Sequence, residues 1–381
     1  MSVFVVNSGS SSIKWELLDA DTGQRLRGGI VERIGESGGG TVDHEQAMRS
    51  ILSKLEELSE LGDQSPTVIG HRVVHGGSVF VAATVVTDEV EKQLGELSAL
   101  APLHNPANLA GIRAARAAFP GVPNVAVFDT AFHQSLAPAA FSYAIDTVVA
   151  ATHGVRRYGF HGTSYRYVSR RAAEMLGRPL EQLKLIVFHL GNGASVCAID
   201  GGQSVDTSMG MTPLEGLVMG TRSGDVDAGV LFHLGRAGAS LADLDTMLNR
   251  RSGLLGLSGH GDMRDIQYAA QGGNNAAQLA LDVYHHRLRH YLGAYLIELG
   301  SVDAIVFTAG VGENSPLTRA AALDGLEAFG IVLDPVSNVA PSRTQRVVSS
   351  ASSAVAVLVI PTNEELEIAR QSVAAVGAGR R

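Results

Sequence analysis

The chain has 381 residues, and at roughly 100 to 200 residues per domain that length predicts two domains. Hydrophobic residues make up 45% and charged residues 18%, a balance that excludes a disordered chain, since charged residues average about 25%. Lys and Arg number 30 against 38 Asp and Glu, a net charge of −8, and no basic run is present to meet a phosphate backbone, which excludes nucleic acid as a partner.

The N-terminus, Met1-Ser2-Val3-Phe4-Val5-Val6, turns polar at Asn7. It lacks the cationic start and apolar length of a signal peptide and reads as a first strand. No stretch approaches the ~18 apolar residues of a membrane span, so no membrane partner and a cytoplasmic location are expected. Further buried strands are predicted at 68–74, 125–128, 185–189, 304–308 and 354–360. Between them, Asn105-Pro106 predicts a helix with Asn as N-cap and Pro at its first position, ending before Pro120. A longer helix is predicted over 275–299, where Leu279, Val283, Leu288, Leu292, Tyr295 and Leu296 form an apolar stripe. Strands alternating with crossover helices make the class α/β. Cys197, the only cysteine, lies in an apolar run and reads as a buried structural thiol.

Two segments look like one device used twice. Val3 to Leu18 is a strand, a Gly/Ser turn and a second strand; Leu185 to Ile199 repeats that plan around Gly191-Asn192-Gly193. Similar hairpins suggest a duplicated domain. A third glycine-rich turn, Thr308 to Asn314, follows a strand and precedes a helix. None of the three is a Walker A sequence or a dinucleotide fingerprint.

Backbone N–H groups and serine hydroxyls in such turns can converge on an anion. Asn7, Ser10, Ser12 and Lys14 form one polar set at the end of the first strand, and Lys14 is one of only four lysines. An ordinary hairpin turn is the competing reading. Arg72, on an apolar strand, and Arg222, between glycines, are costly to bury without an anion; either could instead serve a structural ion pair. Asp129 and His161 read equally as a cap and a core histidine on spacing alone. The 13 histidines show no zinc spacing.

Seven strings in order along the chain resemble the acetate kinase family: Val6 to Lys14, His71 to Gly77, Phe128 to His133, Arg157 to Ser164, His189 to Gly193, Asp262 to Arg264 and Thr362 to Glu365. The resemblance implies duplicated actin-like (ribonuclease H-like) domains, mixed sheets flanked by helices, and a nucleotide cleft between them. Residues 1–130 with 364–381 would form the carboxylate-side domain and 131–363 the nucleotide-binding one. It further implies phosphoryl transfer between ATP/ADP and acetate/acetyl phosphate, magnesium with manganese as an alternative, and a homodimer. By matching motif, Asn7 and Glu364 would sit at the metal, and Lys14, Ser10 and Ser12 at the nucleotide. His189, Leu190, Gly191, Asn192 and Gly193 would underlie the phosphates. Asp262, Met263 and Arg264, with Ala309, Gly310, Val311, Gly312 and Glu313, would contact the adenosine. Arg72 would clamp the carboxylate or γ-phosphate, Asp129 would be the essential acid, and His161 and Arg222 would stabilise the transferring group. Val74, Leu103, Phe160 and Pro213 would bound the acid's alkyl end. Asp129 is expected to orient an arginine or the metal's waters, proton donation being the alternative. The family commonly shows glycine at Ala309, histidine at Tyr165 and proline at Ala228. The rival readings are a propionate or butyrate kinase, an actin-like ATPase and an inactive nucleotide-binding scaffold.

Overall fold

The computed structural model describes residues 1–8, 12–32, 34, 41, 43, 46–51, 53, 65–102 and 104–378. Two compact units emerge, one of Met1–Gln134, Gly162–Ser164 and Asn363–Arg381, the other of Ser135–His161 and Tyr165–Thr362. Against expected boundaries at 130 and 364, the first unit runs to 134 and resumes at 363. It also takes in Gly162–Ser164, which nothing in the sequence marked. There the Gly162 amide donates to the Asp129 carbonyl at 3.0 Å, and a Cβ on Gly162 would stand 2.2 Å from that oxygen. Only glycine fits so close an approach.

The first unit is built on a six-stranded mixed sheet of β1 (Ser2–Ser8), β2 (Ile13–Asp19), β3 (Arg25–Val31), β4 (Val68–Val73), β5 (Thr84–Val85) and β6 (Asn124–Phe128). Their spatial order is β3-β2-β1-β4-β6-β5. The second unit carries β7 (Lys184–Leu190), β8 (Ala194–Asp200), β9 (Gln203–Thr207), β10 (Ala304–Thr308), β11 (Arg346–Val347) and β12 (Ala356–Val359), ordered β9-β8-β7-β10-β12-β11. Both orders are one permutation of strand number. Pairing sense agrees as well: the opening hairpin and its third strand are antiparallel, two parallel partners follow, and the edge strand is antiparallel. Even the register shift recurs, after Leu17 in β2 and after Ala198 in β8, which hold the same place in their strands. A bulge retained at one position in both copies is a feature of the fold, and the duplicated actin-like architecture follows.

The central strands are buried without alternation, as in β7, β8 and β10, the pattern of a sheet covered on both faces; the helix Asn275–Leu299 packs on β7 and β8 and the helix Ala309–Asn314 on β7 and β10. In the first unit the helix Glu364–Ala378 packs on β1, β4 and β6. Gly70 in β4 allows this, since a Cβ there would meet Ser372 Oγ at 2.6 Å and Ile368 Cγ2 at 2.8 Å.

Three local expectations are corrected. The helix Asn105–Ala118 has His104, not Asn105, as its N-cap; the Asn105 amide instead donates to the His75 carbonyl (3.0 Å) and accepts from the His75 amide (3.2 Å). On the helix Asn275–Leu299 the buried stripe begins at Ala277, Ala280 and Leu281 while Leu279 is exposed; the small alanines, invisible to a search for large apolar residues, are the buried ones there. The third glycine segment is not a turn leading into a helix but is itself the short helix Ala309–Asn314. Cys197 is fully buried and free.

Candidate active site

In the first unit, β4 and β6 run parallel and end side by side, with Arg72 paired to Val127 and Val73 to Phe128. This brings Asp129, one residue past β6, against Arg72. The Arg72 Nε donates to Asp129 Oδ1 at 3.0 Å and Nη2 to Oδ2 at 2.6 Å, while Nη1 donates to Asn7 Oδ1 at 3.0 Å. Three donors are thereby engaged, and two of the five guanidinium N–H groups have no partner among the described residues. Burial works against the Arg72 charge, and Asp129, Glu364 and Glu365 more than offset it, so its pKa is raised. Burial also pushes the Glu364 carboxyl up to about 7 against the pull of Arg72, with Asp129 and Glu365 pushing the same way. Asn7, Arg72, Asp129 and Glu364 thus share one electrostatic cluster at the strand ends.

Lys14 has a different neighbourhood. Its ammonium lies 2.8 Å from Glu365 and 3.6 Å from Glu16, so its charge is taken up by carboxylates. Ser12 precedes β2 and is partly buried; Ser10 and Leu103 lie outside the described residues. Val74 is buried, its amide held by Asn108 Oδ1 at 3.2 Å.

In the second unit, the β7–β8 hairpin turns at Gly191-Asn192-Gly193 beyond the buried His189 and Leu190. His161 stacks on His189, ring centroids 4.1 Å apart at 19°. It sits in the left-handed region at φ 59°, a conformation a non-glycine residue keeps only when its surroundings over-determine it. A Cβ on Gly193 would be 3.7 Å from both His161 Nε2 and Arg222 Nη1, so these two groups converge on one point above the turn. Arg222 Nη1 donates to the Pro213 carbonyl at 3.1 Å, and among the described residues no carboxylate pairs with it. Burial alone lowers its pKa. A guanidinium held out of water without a counter-charge suits an incoming anion. Phe160 is buried and Pro213 partly buried in this unit.

A cavity of about 430 Å³ opens beside the same turn. Gly191 and Asn192 bound it on one side, Asp262, Met263 and Arg264 on a second, Gly310 and Val311 on a third. The three glycine-rich or acidic segments singled out in the second unit therefore meet around one space. Asp262 caps the helix Met263–Gln271, accepting from the Arg264 amide at 2.8 Å, and pairs with the Arg264 guanidinium at 2.7 Å. Ala309 opens its helix at φ 63°. The Gly312 carbonyl accepts from Arg319 at 2.8 Å and Glu313 Oε1 from the Thr362 amide at 3.2 Å, which places these two in the frame of the cavity. Gln267, Tyr284 and Asn314 also line it; Tyr284 and Asn314 face it from helices whose sequence offered only an apolar stripe or a glycine run. Ser195 was missed too, although hairpin register from the Gly191–Gly193 turn pairs it with His189.

Residues 2–370 match the Acetokinase family. The chain is 59% identical to an acetate kinase of Leifsonia xyli subsp. xyli, with 99% of this chain and 100% of the relative covered. Among solved structures it resembles an acetate kinase of Porphyromonas gingivalis at TM-score 0.92 and 42% identity, covering 98% of this chain and 99% of the other. A propionate kinase of Francisella tularensis subsp. tularensis is nearly as similar, at TM-score 0.91 and 38% identity with the same coverage. With its duplicated fold, its anion-ready arginines and its match along nearly the whole length, the chain belongs to the acetokinase family.

Proposed function

We propose that the chain is an acetate kinase, moving the γ-phosphoryl group of ATP to acetate and releasing ADP and acetyl phosphate, reversibly. A carboxylate oxygen attacks the γ-phosphorus in line while the bond to the β,γ-bridging oxygen breaks, and that electron pair leaves with ADP. Acetate is already ionised at pH 7, so the nucleophile needs no base. What remains is positioning and charge stabilisation. The observation that carries this reading is Arg222: a partly buried guanidinium without a carboxylate partner among the described residues, directed with His161 Nε2 to one point above the Gly193 turn.

In this reading the nucleotide occupies the 430 Å³ cavity, its phosphates over Gly191 to Gly193 and its adenosine against 262–264 and 309–313. Arg72 clamps the carboxylate or γ-phosphate, and Asp129 fixes the direction of that guanidinium, the role its hydrogen bonds support. Val74, Leu103, Phe160 and Pro213 bound the methyl end of the acid. Magnesium takes one or two carboxylates and shares phosphate oxygens. Asn7 and Glu364 suit it: both offer oxygen, and burial with nearby acids makes the negative charge on Glu364 costly until a cation arrives. Held there, magnesium would neutralise phosphate charge. The reading carries with it the family's homodimer and a cytoplasmic location.

A hydroxamate assay with ATP and acetate, propionate or butyrate tests the assignment. Acetate should give the highest kcat/KM. The propionate kinase likeness favours a second reading in which propionate is preferred, separated from the first by a methylene contributing about 1 to 3 kcal/mol.

A further inference from the structure

The turn that carries Gly191 to Gly193 also fixes a platform beneath His161. Hairpin register sets His189 opposite Ser195, on one face of the sheet, and both are buried. The His161 ring lies flat on His189. Its Nδ1 is 2.8 Å from Ser195 Oγ, and the same oxygen is 2.5 Å from the Tyr165 hydroxyl. Tyr165 stands one helical turn beyond His161, its amide donating to the His161 carbonyl at 3.0 Å, so backbone and side chain act on the histidine together. The opposite ring nitrogen, Nε2, is the one that converges with Arg222 Nη1 above Gly193.

We propose that Ser195, backed by Tyr165, is a positioning residue that holds His161 with its Nε2–H toward the transferring phosphoryl group. Tyr165 is fully buried, and burial raises its pKa well above the ordinary tyrosine value, so the phenol keeps its proton. In the proposed arrangement the phenol donates to Ser195 Oγ, Ser195 gives its single proton to His161 Nδ1, and the ring hydrogen then sits on Nε2. Which nitrogen bears the hydrogen is set by the bond the other nitrogen makes. Without the serine proton, Nδ1 and Nε2 compete for one hydrogen, and the ring loses both its tautomer and the hydrogen bond that orients it.

This inference rests on the kinase reading, and its test separates the two. Ser195→Ala, Tyr165→Phe and the double variant are assayed at saturating and limiting acetate and ATP, with 15N spectra of ring-labelled histidine assigned for His161 by comparison with His161→Asn. Ser195→Ala should lower kcat by about 10- to 100-fold, as loss of a histidine's outer partner does elsewhere, with both KM values little changed. Tyr165→Phe should lower kcat less, and should cost nothing further in the Ser195→Ala background. The His161 ring should pass from a single Nε2–H tautomer to a mixture. Unchanged kcat in folded variants, losses that simply multiply, or an unaltered His161 spectrum would each overturn the proposal. Should Ser195→Ala not fold, Ser195→Thr must keep the tautomer and Tyr165→Phe must disturb it. No kinase activity in the unaltered protein would instead defeat the kinase reading, while the spectra would still report the tautomer.

Discussion

Asp129 grips Arg72 side-on, meeting Nε and Nη2 with its two oxygens and leaving Nη1 to Asn7. The acid is nearly inaccessible, and its arginine is only 19% exposed. The pair therefore works in a setting where a fixed guanidinium direction survives without solvent screening.

Asp129→Asn keeps the shape and one acceptor but removes the charge. Turnover should fall about 100-fold or more, as when a stabilising donor is lost from a transition state, because Arg72 is no longer held. Asp129→Ala should in addition lower stability by about 3 kcal/mol, the cost of leaving a buried charge without its partner. Steady-state kinetics and denaturant unfolding measure the two effects. Normal turnover in folded Asp129→Asn would return the residue to a purely structural place.

Arg222→Met separates function from stability in the opposite sense. Burial opposes this guanidinium and no carboxylate among the described residues repays it, so an apolar side chain of similar length should hold or raise Tm. Turnover should drop by about 100-fold or more. A large fall in Tm would mean that the arginine is part of the scaffold.

How much of this was legible from the residues differs from one part to the next. The hairpins of β1–β2 and β7–β8 were visible because a buried strand followed by a glycine turn is a local pattern. The full permutation β3-β2-β1-β4-β6-β5 was not, since the short edge strands β5 and β11 have two residues each and leave no periodicity. Asp129 and Arg72 were each ambiguous alone; their parallel strands make them partners across 57 positions, a relation no spacing rule expresses. Residue size does not report burial on the helix Asn275–Leu299, where Leu279 is exposed while Ala277 and Ala280 are buried.

Backbone strain at Ala309 gives a prediction with an unusual sign. In a helix interior Ala→Gly costs about 1 kcal/mol, but Ala309 has φ 63°, where a side chain costs about 1 to 2 kcal/mol. Ala309→Gly should leave Tm unchanged or raise it. Ala228 offers a companion: it opens the exposed helix Ala228–Arg236 directly after the Asp227 cap, where proline is favoured. Ala228→Pro should stabilise by about 0.4 to 1 kcal/mol. A fall in Tm for either variant would contradict the geometry.

His71 predicts acid sensitivity. It is buried, its Nε2 donating to Asn124 Oδ1 at 2.8 Å, and burial lowers its pKa from 6.5 to about 4 despite that bond. Between these values the unfolded chain binds a proton that the folded chain refuses, so stability is complete above pH 6.5 and declines as the pH falls toward 4. The contribution lost is about 3 kcal/mol. His71→Gln, unable to titrate, should narrow the difference in unfolding free energy between pH 7 and pH 4.5; an equal difference in both proteins would assign the acid sensitivity elsewhere.

In the proposed reaction a carboxylate oxygen of acetate becomes bonded to the γ-phosphorus of ATP. Acetate labelled with 18O in both oxygens, incubated with ATP, magnesium and the enzyme, should give acetyl phosphate whose bridging oxygen is 18O. Hydroxylamine attacks the carbonyl carbon and releases phosphate with that oxygen attached, so mass spectrometry should find one 18O in each phosphate so released. Phosphate free of 18O, or ADP formed at the same rate without acetate, would rule out phosphoryl transfer to the acetate oxygen.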